Sequence, residues 1–168
     1  MVREPIILSR HSFYREIQGV LTKKGKYGLK AMVYLAQFPP GRLLPILEIA
    51  STQQIPKKFL AAILSELRNA GFVNSKKGKG GGYMLARAAS QISVGEMIRA
   101  IDGPLARPPC ASKTRYLRCD DCLDETRCAV RLVMLDAQRA LSQVLDGCSL
   151  AQMGVMAAAG LENLPYDI

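Results

Sequence analysis

Four of the chain's five cysteines fall within 19 residues, as Cys110-x8-Cys119-x2-Cys122-x5-Cys128, and the fifth, Cys148, stands alone. Thiolates are soft donors that select iron–sulfur clusters or zinc, and burial alone does not call for four on so short a segment. Structural zinc favours two close pairs. Only Cys119 and Cys122 make such a pair, so the spacing favours a cluster, with zinc as the second choice. A thioredoxin-like dithiol would need a βαβ setting that the surrounding pattern lacks. Cys148, between Gly147 and Ser149, reads as a buried or free thiol rather than a ligand. Asp120, Asp121, Asp124 and Glu125 lie among the cysteines and read as solvated loop groups or as hydrogen-bonding neighbours of the ligands. The one histidine, His11, builds no Ser-His-Asp arrangement, so the reading is not an enzyme.

The second chemistry-bearing feature is charge. The net charge of +9 resides in one half of the chain: residues 1–87 hold 15 Lys and Arg against 4 acids, whereas residues 88–168 hold 8 against 10. A phosphate backbone rewards clustered cations, so the amino-terminal half is expected to bind nucleic acid and the remainder to serve another purpose. The lysines form three groups. Lys23, Lys24 and Lys26 follow Thr22; Lys57 and Lys58 follow Pro56; Lys76, Lys77 and Lys79 punctuate a glycine-rich run. That run lacks the Gly-Lys-Ser/Thr ending that opens a helix in a nucleotide-binding loop, and a strand follows it.

Periodicity supplies the elements that must position these groups. Helical spacing begins at Thr22, with Tyr27, Ala31, Tyr34 and Leu35 on one face, and stops at Phe38-Pro39-Pro40-Gly41. Leu44-Pro45 opens a second helix. After the Gln53-Gln54-Ile55 turn, Pro56 stands as the first residue of a third, with Leu60, Ile63, Leu64 and Leu67 inward and Gly71 as its left-handed end. Two short helices across a tight turn make a helix-turn-helix. The period then changes to two, and residues 72–75 and 83–86 read as a hairpin whose loop carries lysines. Ser93-Val94-Gly95-Glu96 is a capping box that opens a helix through Ile98 and Ile101 to Gly103-Pro104. Residues 104–128 lack a period. From 128 to 145 runs the longest helical pattern, with Val130, Val133, Ala137, Ala140, Leu141 and Val144 on one stripe. Little of the chain is left to cover that stripe, which predicts a homodimer.

The fold class expected is mainly α with a small β-hairpin wing. A winged helix-turn-helix domain spans 21–103, a cysteine loop 104–128, and a dimerisation helix with a short helix after it 128–153. Poorly ordered tails take 1–20 and 154–168. No apolar run approaches the roughly 18 residues of a membrane span, and Ile6-Ile7-Leu8 is too short for a secretory signal. The chain is therefore expected in the cytoplasm, away from membranes, where its cysteines form no disulfide framework.

Leu21-Thr22-Lys23-Lys24-Gly25-Lys26-Tyr27-Gly28-Leu29, Glu48-Ile49-Ala50, Leu67-Arg68-Asn69-Ala70-Gly71, Gly80-Gly81-Gly82-Tyr83 and Ser93-Val94-Gly95-Glu96 follow one another in collinear order. With them the chain resembles the IscR/NsrR/RirA family of bacterial transcription regulators, over about residues 21–153. The resemblance implies a dimeric winged helix-turn-helix regulator of double-stranded DNA. Its cysteine loop would hold a two-iron or four-iron cluster sensing iron, oxygen, redox state or nitric oxide, with Cys110, Cys122 and Cys128 as the three family ligands. The family's fourth ligands are missing: its histidine three residues after the last cysteine is Arg131 here, and its acidic residue before the first helix's tyrosine is Lys26. Cys119 is the economical replacement. The helix from Pro56 would enter the major groove with Lys57 and Lys58 leading, and the wing lysines Lys76, Lys77 and Lys79 would meet the backbone or minor groove. Ala61 and Ala62 stand where the family has polar base readers, which favours contact with thymine methyl groups. The alternatives are a cluster-free thiol or cysteine-metabolism regulator of the same fold and a zinc-stabilised assembly module.

Overall fold

A computed structural model describes residues 21–105, 108–112 and 115–160. His11, the tail assigned to 1–20 and the end of the chain from 161 lie outside the described residues. Thr22 starts α1 (Lys23–Ala36) as its N-cap, its hydroxyl accepting from the Gly25 N–H. α2 (Ile46–Gln53) follows Pro45 and ends at Gln54, whose φ of 54° makes the tight turn of the helix-turn-helix. α3 (Lys57–Asn69) begins one residue later than the sequence predicts. Pro56 is its N-cap, because a ψ of 125° keeps that residue out of the helix. Gly71, at φ 78°, closes α3: its N–H reaches the Arg68 carbonyl and the Phe72 N–H reaches that of Leu67.

The wing is the antiparallel hairpin β1 (Val73–Lys76) and β2 (Gly82–Leu85), one residue from the expected limits at each strand, with Val73 opposite Leu85 and Lys76 opposite Gly82. Leu44 extends it. Leu44 and Tyr83 exchange both backbone hydrogen bonds at 2.9 Å, so the chain entering α2 lies along the outer edge of β2. That pairing explains Gly82, where a Cβ would lie 2.4 Å from the Leu44 carbonyl oxygen. α4 (Val94–Asp102) opens with the expected capping box between Ser93 and Glu96.

These elements share one core. Leu29, Met32 and Leu35 of α1 meet Ile63, Leu64 and Leu67 of α3 and Met97 and Ile98 of α4, all buried in one cluster with Leu44 and Ile92. The fold is accordingly mainly α with a two-stranded hairpin, as the periodicity predicts.

Beyond the cysteine loop, α5 (Ala129–Gly147) starts after Cys128 rather than on it, and Cys128 is its N-cap. It contains no buried residue. Val130, Val133, Ala137, Ala140 and Val144 of the predicted stripe are all exposed, Val144 by 70%. Its far end is held on α4, where Arg99 pairs with Asp146 at 2.5 Å and the Val94 N–H donates to the Cys148 carbonyl at 2.9 Å. α6 (Leu150–Ala159) runs six residues beyond the expected limit at 153. A second capping box, Ser149 with Gln152, starts it, the fully buried Leu150 anchors it, and alanines and methionines sustain it. Among the described residues no helix is long and apolar enough to cross a membrane.

The Leu44 edge makes a stability prediction. Gly82→Ala drives a methyl into backbone and is expected to cost about 1–3 kcal/mol. Gly154→Ala, on α6 with nothing within 4 Å of the new methyl, is expected to be neutral or to gain about 0.5–1 kcal/mol from helix propensity. Urea midpoints at equal protein concentration compare the two, and equal midpoints would remove the edge constraint.

Candidate functional site

Basic residues of α3 and of the hairpin meet at one groove. Lys57 and Lys58 occupy the first turn of α3, and Lys76, Lys77 and Lys79 surround the hairpin tip; all five are exposed. Like Lys23 and Lys26, they have no carboxylate within ion-pair distance among the described residues. Between α3 and the wing lies a groove of about 280 Å³ lined by Lys57, Arg68, Ser75, Lys76 and Lys77. The first residues of α2 border it too, and that helix has no side-chain cap, so its free N–H groups add the positive end of a helix dipole. Arg68, 3.5 Å from Ser75, is absent from the sequence-based site, although it sits inside the Leu67–Gly71 motif that carries the family resemblance; Ser75, at the strand end, is a position the sequence expects to matter much less than the lysines.

The α1 group divides. Lys23 lies 5.8 Å from the Tyr27 ring, which meets Phe59 of α3 edge-on at 5.7 Å. Lys26 is exposed. Thr22 and Lys24 instead turn inward. The Thr22 N–H donates to the Asp102 carboxylate at 2.9 Å, and its hydroxyl donates to the other carboxylate oxygen. Lys24 pairs with Glu66 at 2.6 Å and donates to the Ile101 carbonyl at 3.2 Å. Their polar atoms join the start of α1 to the end of α4 and to α3.

The thiols form the second half of the site. Cys110 is buried on a short 3-10 turn, Pro109–Ala111, while Cys119, Cys122 and Cys128 are half-buried. Cys119 lies near Cys110, and Cys122 near Cys128. The hydrogen bond with Cys110, then partial burial and the neighbouring Cys110, Asp121 and Cys122, push the Cys119 thiol up to about 11. Partial burial and the contact with Cys128 raise Cys122. Cys128 moves the other way, lowered chiefly by the Arg131 N–H at the positive end of α5. Cys148 lies apart, packed against the core at the junction of α5 and α6.

Acidic residues organise the loop around the thiols. Glu125 accepts from the Tyr116 hydroxyl and pairs with Arg118 at 3.2 Å, while Asp124 takes the Thr126 N–H at 2.9 Å. Among the described residues no three His, Cys, Asp or Glu side chains converge as a ready-made ion site. The donor set nevertheless fits a soft metal centre: four thiols within 19 residues, three of them on the stretch from Cys119 to Cys128 that is free of regular structure. In the metal-free reduced chain the lowered Cys128 holds more thiolate near pH 8 than the raised Cys119. It is expected to react faster with iodoacetamide, and the gap should close as pH approaches 11. Site-resolved mass spectrometry reads the order, and faster labelling of Cys119 at pH 8 would contradict it.

This arrangement is that of DNA-binding transcriptional regulators of the winged helix-turn-helix type. More narrowly, the chain belongs to the Rrf2 family, whose model, described as an iron-dependent transcriptional regulator, matches residues 21–155. It is 41% identical over 137 residues to an rrf2-like HTH-type transcriptional regulator of Rhodobacter capsulatus, covering 80% of this chain and 91% of that one. Against the regulator IscR of Aliivibrio salmonicida it is 34% identical over 135 residues, covering 80% and 77%. Among solved structures, CymR, the global cysteine regulator of B. subtilis, matches with a TM-score of 0.66 at 29% identity, over 80% of this chain and 95% of that one. IscR of T. potens matches with a TM-score of 0.64 at 28% identity, over 88% and 93%. These relatives are regulators and not enzymes.

Proposed function

We propose that the chain is a homodimeric, cytoplasmic transcriptional regulator whose operator affinity is set by an iron–sulfur cluster on Cys110, Cys119, Cys122 and Cys128. The observation that carries this reading is where the thiols lie. Their loop leaves the end of α4, whose Asp102 holds the start of the basic helix α1, and arrives at α5, the helix with its apolar stripe uncovered. When bound, the cluster would supply a centre responsive to iron or to oxidants; the chain's own residues do the rest. α3 enters the major groove with Lys57 and Lys58 leading, and the exposed Ala62 and half-buried Ala61 offer methyl groups to thymine. Lys76, Lys77 and Lys79 with Arg68 and Ser75 hold phosphates, and the exposed Lys23 and Lys26 of α1 add further cations. The stripe of α5, about 21 Å from Val130 to Val144 by helix rise, pairs with a second copy and sets the distance between the two recognition helices.

A second reading is favoured by one observation, the pairing of the thiols two by two, together with the likeness to CymR. It is a cluster-free thiol regulator on the same DNA-binding half. Iron and sulfide analysis of protein purified without oxygen separates the readings, and bound zinc without iron would favour the assembly-module alternative.

Two outcomes are expected. On a duplex selected from a random pool, affinity should fall about a thousandfold or more between 50 and 200 mM salt if 6–10 phosphates are contacted. Lys77→Ala or Arg68→Ala should each flatten the salt slope by about one unit for every phosphate left without its cation. Salt-independent association would end the DNA assignment of this face. Titrating the same duplex with reconstituted and with metal-free protein at one ionic strength should give affinities about 5- to 150-fold apart, a coupling of roughly 1–3 kcal/mol. Matching affinities would leave the thiols structural.

A further inference from the structure

We infer that Arg131 is the strap that ties the thiol loop to helix α5, a positioning residue through which whatever fills the cysteines acts on the dimer helix. The strap stands on the geometry alone; its regulatory consequence rests on the function proposed above. Arg131 is the third residue of α5, and its side chain turns back along the loop. Its Nε–H donates to the Cys110 carbonyl at 3.0 Å and an Nη1–H to the Glu125 carbonyl at 3.4 Å. One guanidinium thus holds residues 21 and 6 positions earlier in the chain. Cys110 is itself only 4% exposed, and Glu125 gathers Tyr116 and Arg118.

Two features of its surroundings set this residue apart. Among the described residues no other α5 side chain hydrogen-bonds to the loop, since Arg139 pairs with Asp136 of its own helix. Apart from its packing on the 3-10 turn of Cys110, the remaining ties of α5 lie at its opposite end, through Asp146 and Cys148 on α4. The two fastenings are separated by about 22 Å of helix, so a small displacement at Arg131 swings a bar pinned at its far end. Charge points the same way. Arg118 and Arg127 are paired with Glu125 and Asp124, whereas Arg131 has no carboxylate partner among the described residues and spends its donors on the two carbonyls. A guanidinium also suits the task in shape, because its planar fork donates to two carbonyls at once, and a lysine ammonium offers no such fixed spread.

The test compares the wild-type chain with Arg131→Gln and Arg131→Lys, all full length. In the metal-free reduced protein, iodoacetamide should reach Cys110 about tenfold faster in Arg131→Gln, with Arg131→Lys between, while Cys148 labels at the wild-type rate in all three. An unchanged Cys110 rate overturns the strap whatever the site binds. After anaerobic reconstitution, Arg131→Gln should keep wild-type iron and sulfide content yet show less than a twofold difference in duplex affinity between loaded and metal-free forms. A variant that keeps the full wild-type difference overturns the transmission role. So does one whose difference falls only in proportion to lost iron. If the wild-type chain shows no such difference, the cluster reading fails, and the Cys110 rate alone decides the strap. Should Arg131→Gln not fold, as judged by circular dichroism, Arg131→Lys carries the same measurements with smaller changes.

Discussion

The carboxylate of Asp102 is the joint on which the molecule depends. It closes α4, accepts the N–H and hydroxyl of Thr22, and so fixes where α1 begins. Gly25 is required there, because a Cβ would collide with that carboxylate. With the first turn of α1 fixed, Lys24 reaches Glu66, and α1 is held against α3 by charge as well as by Met32, Ile63 and Leu64. The irregular segment that bears the cysteines departs immediately after the same carboxylate. The residue that fixes the start of α1 is thus also the last of α4 before the thiol loop, so the first turn of α1 and the departure of the loop are anchored at one place.

Electrostatics divides the two halves cleanly. On the winged domain the exposed lysines are left without carboxylate partners among the described residues, so their charge remains available at the surface. In the loop two pairs do the opposite: Arg118 with Glu125 and Arg127 with Asp124 neutralise one another. Such exposed pairs contribute little stability each. Their effect is to keep the loop from joining the basic face as one more cationic patch.

What the sequence could and could not reveal follows the range of the interactions. The capping box at Ser93, the glycine end of α3 and the hairpin around Lys76–Gly82 are local signals, written within a few residues, and each element forms within one residue of its expected limits. The apolar stripe of α5 was legible too, because period and length are properties of one segment. Thr22 with Asp102, Leu44 with Tyr83, Arg68 with Ser75 and Arg131 with Cys110 were not. Each joins polar or backbone atoms from separate elements, up to 80 positions apart, and no periodicity encodes such a meeting. Thr22 and Lys24 illustrate the difference: their types suited phosphate, but only the fold shows that their polar atoms already have partners.

Ser93 and Ser149 form an antiparallel bridge, so α4 and α6 start side by side although 56 positions separate them. After α4, the thiol loop and α5 form an excursion that leaves the winged domain and returns beside the start of that helix. The entropy of closing such a loop grows only with the logarithm of its length, about 0.6 kcal/mol for each doubling. The segment can therefore gain or lose residues, and with them a cysteine or a change in cysteine spacing, at almost no cost to the domain it springs from. A long loop with a fourth thiol is a variation that this closure tolerates, and the chemistry of the loop can diverge while the DNA-binding half keeps its shape.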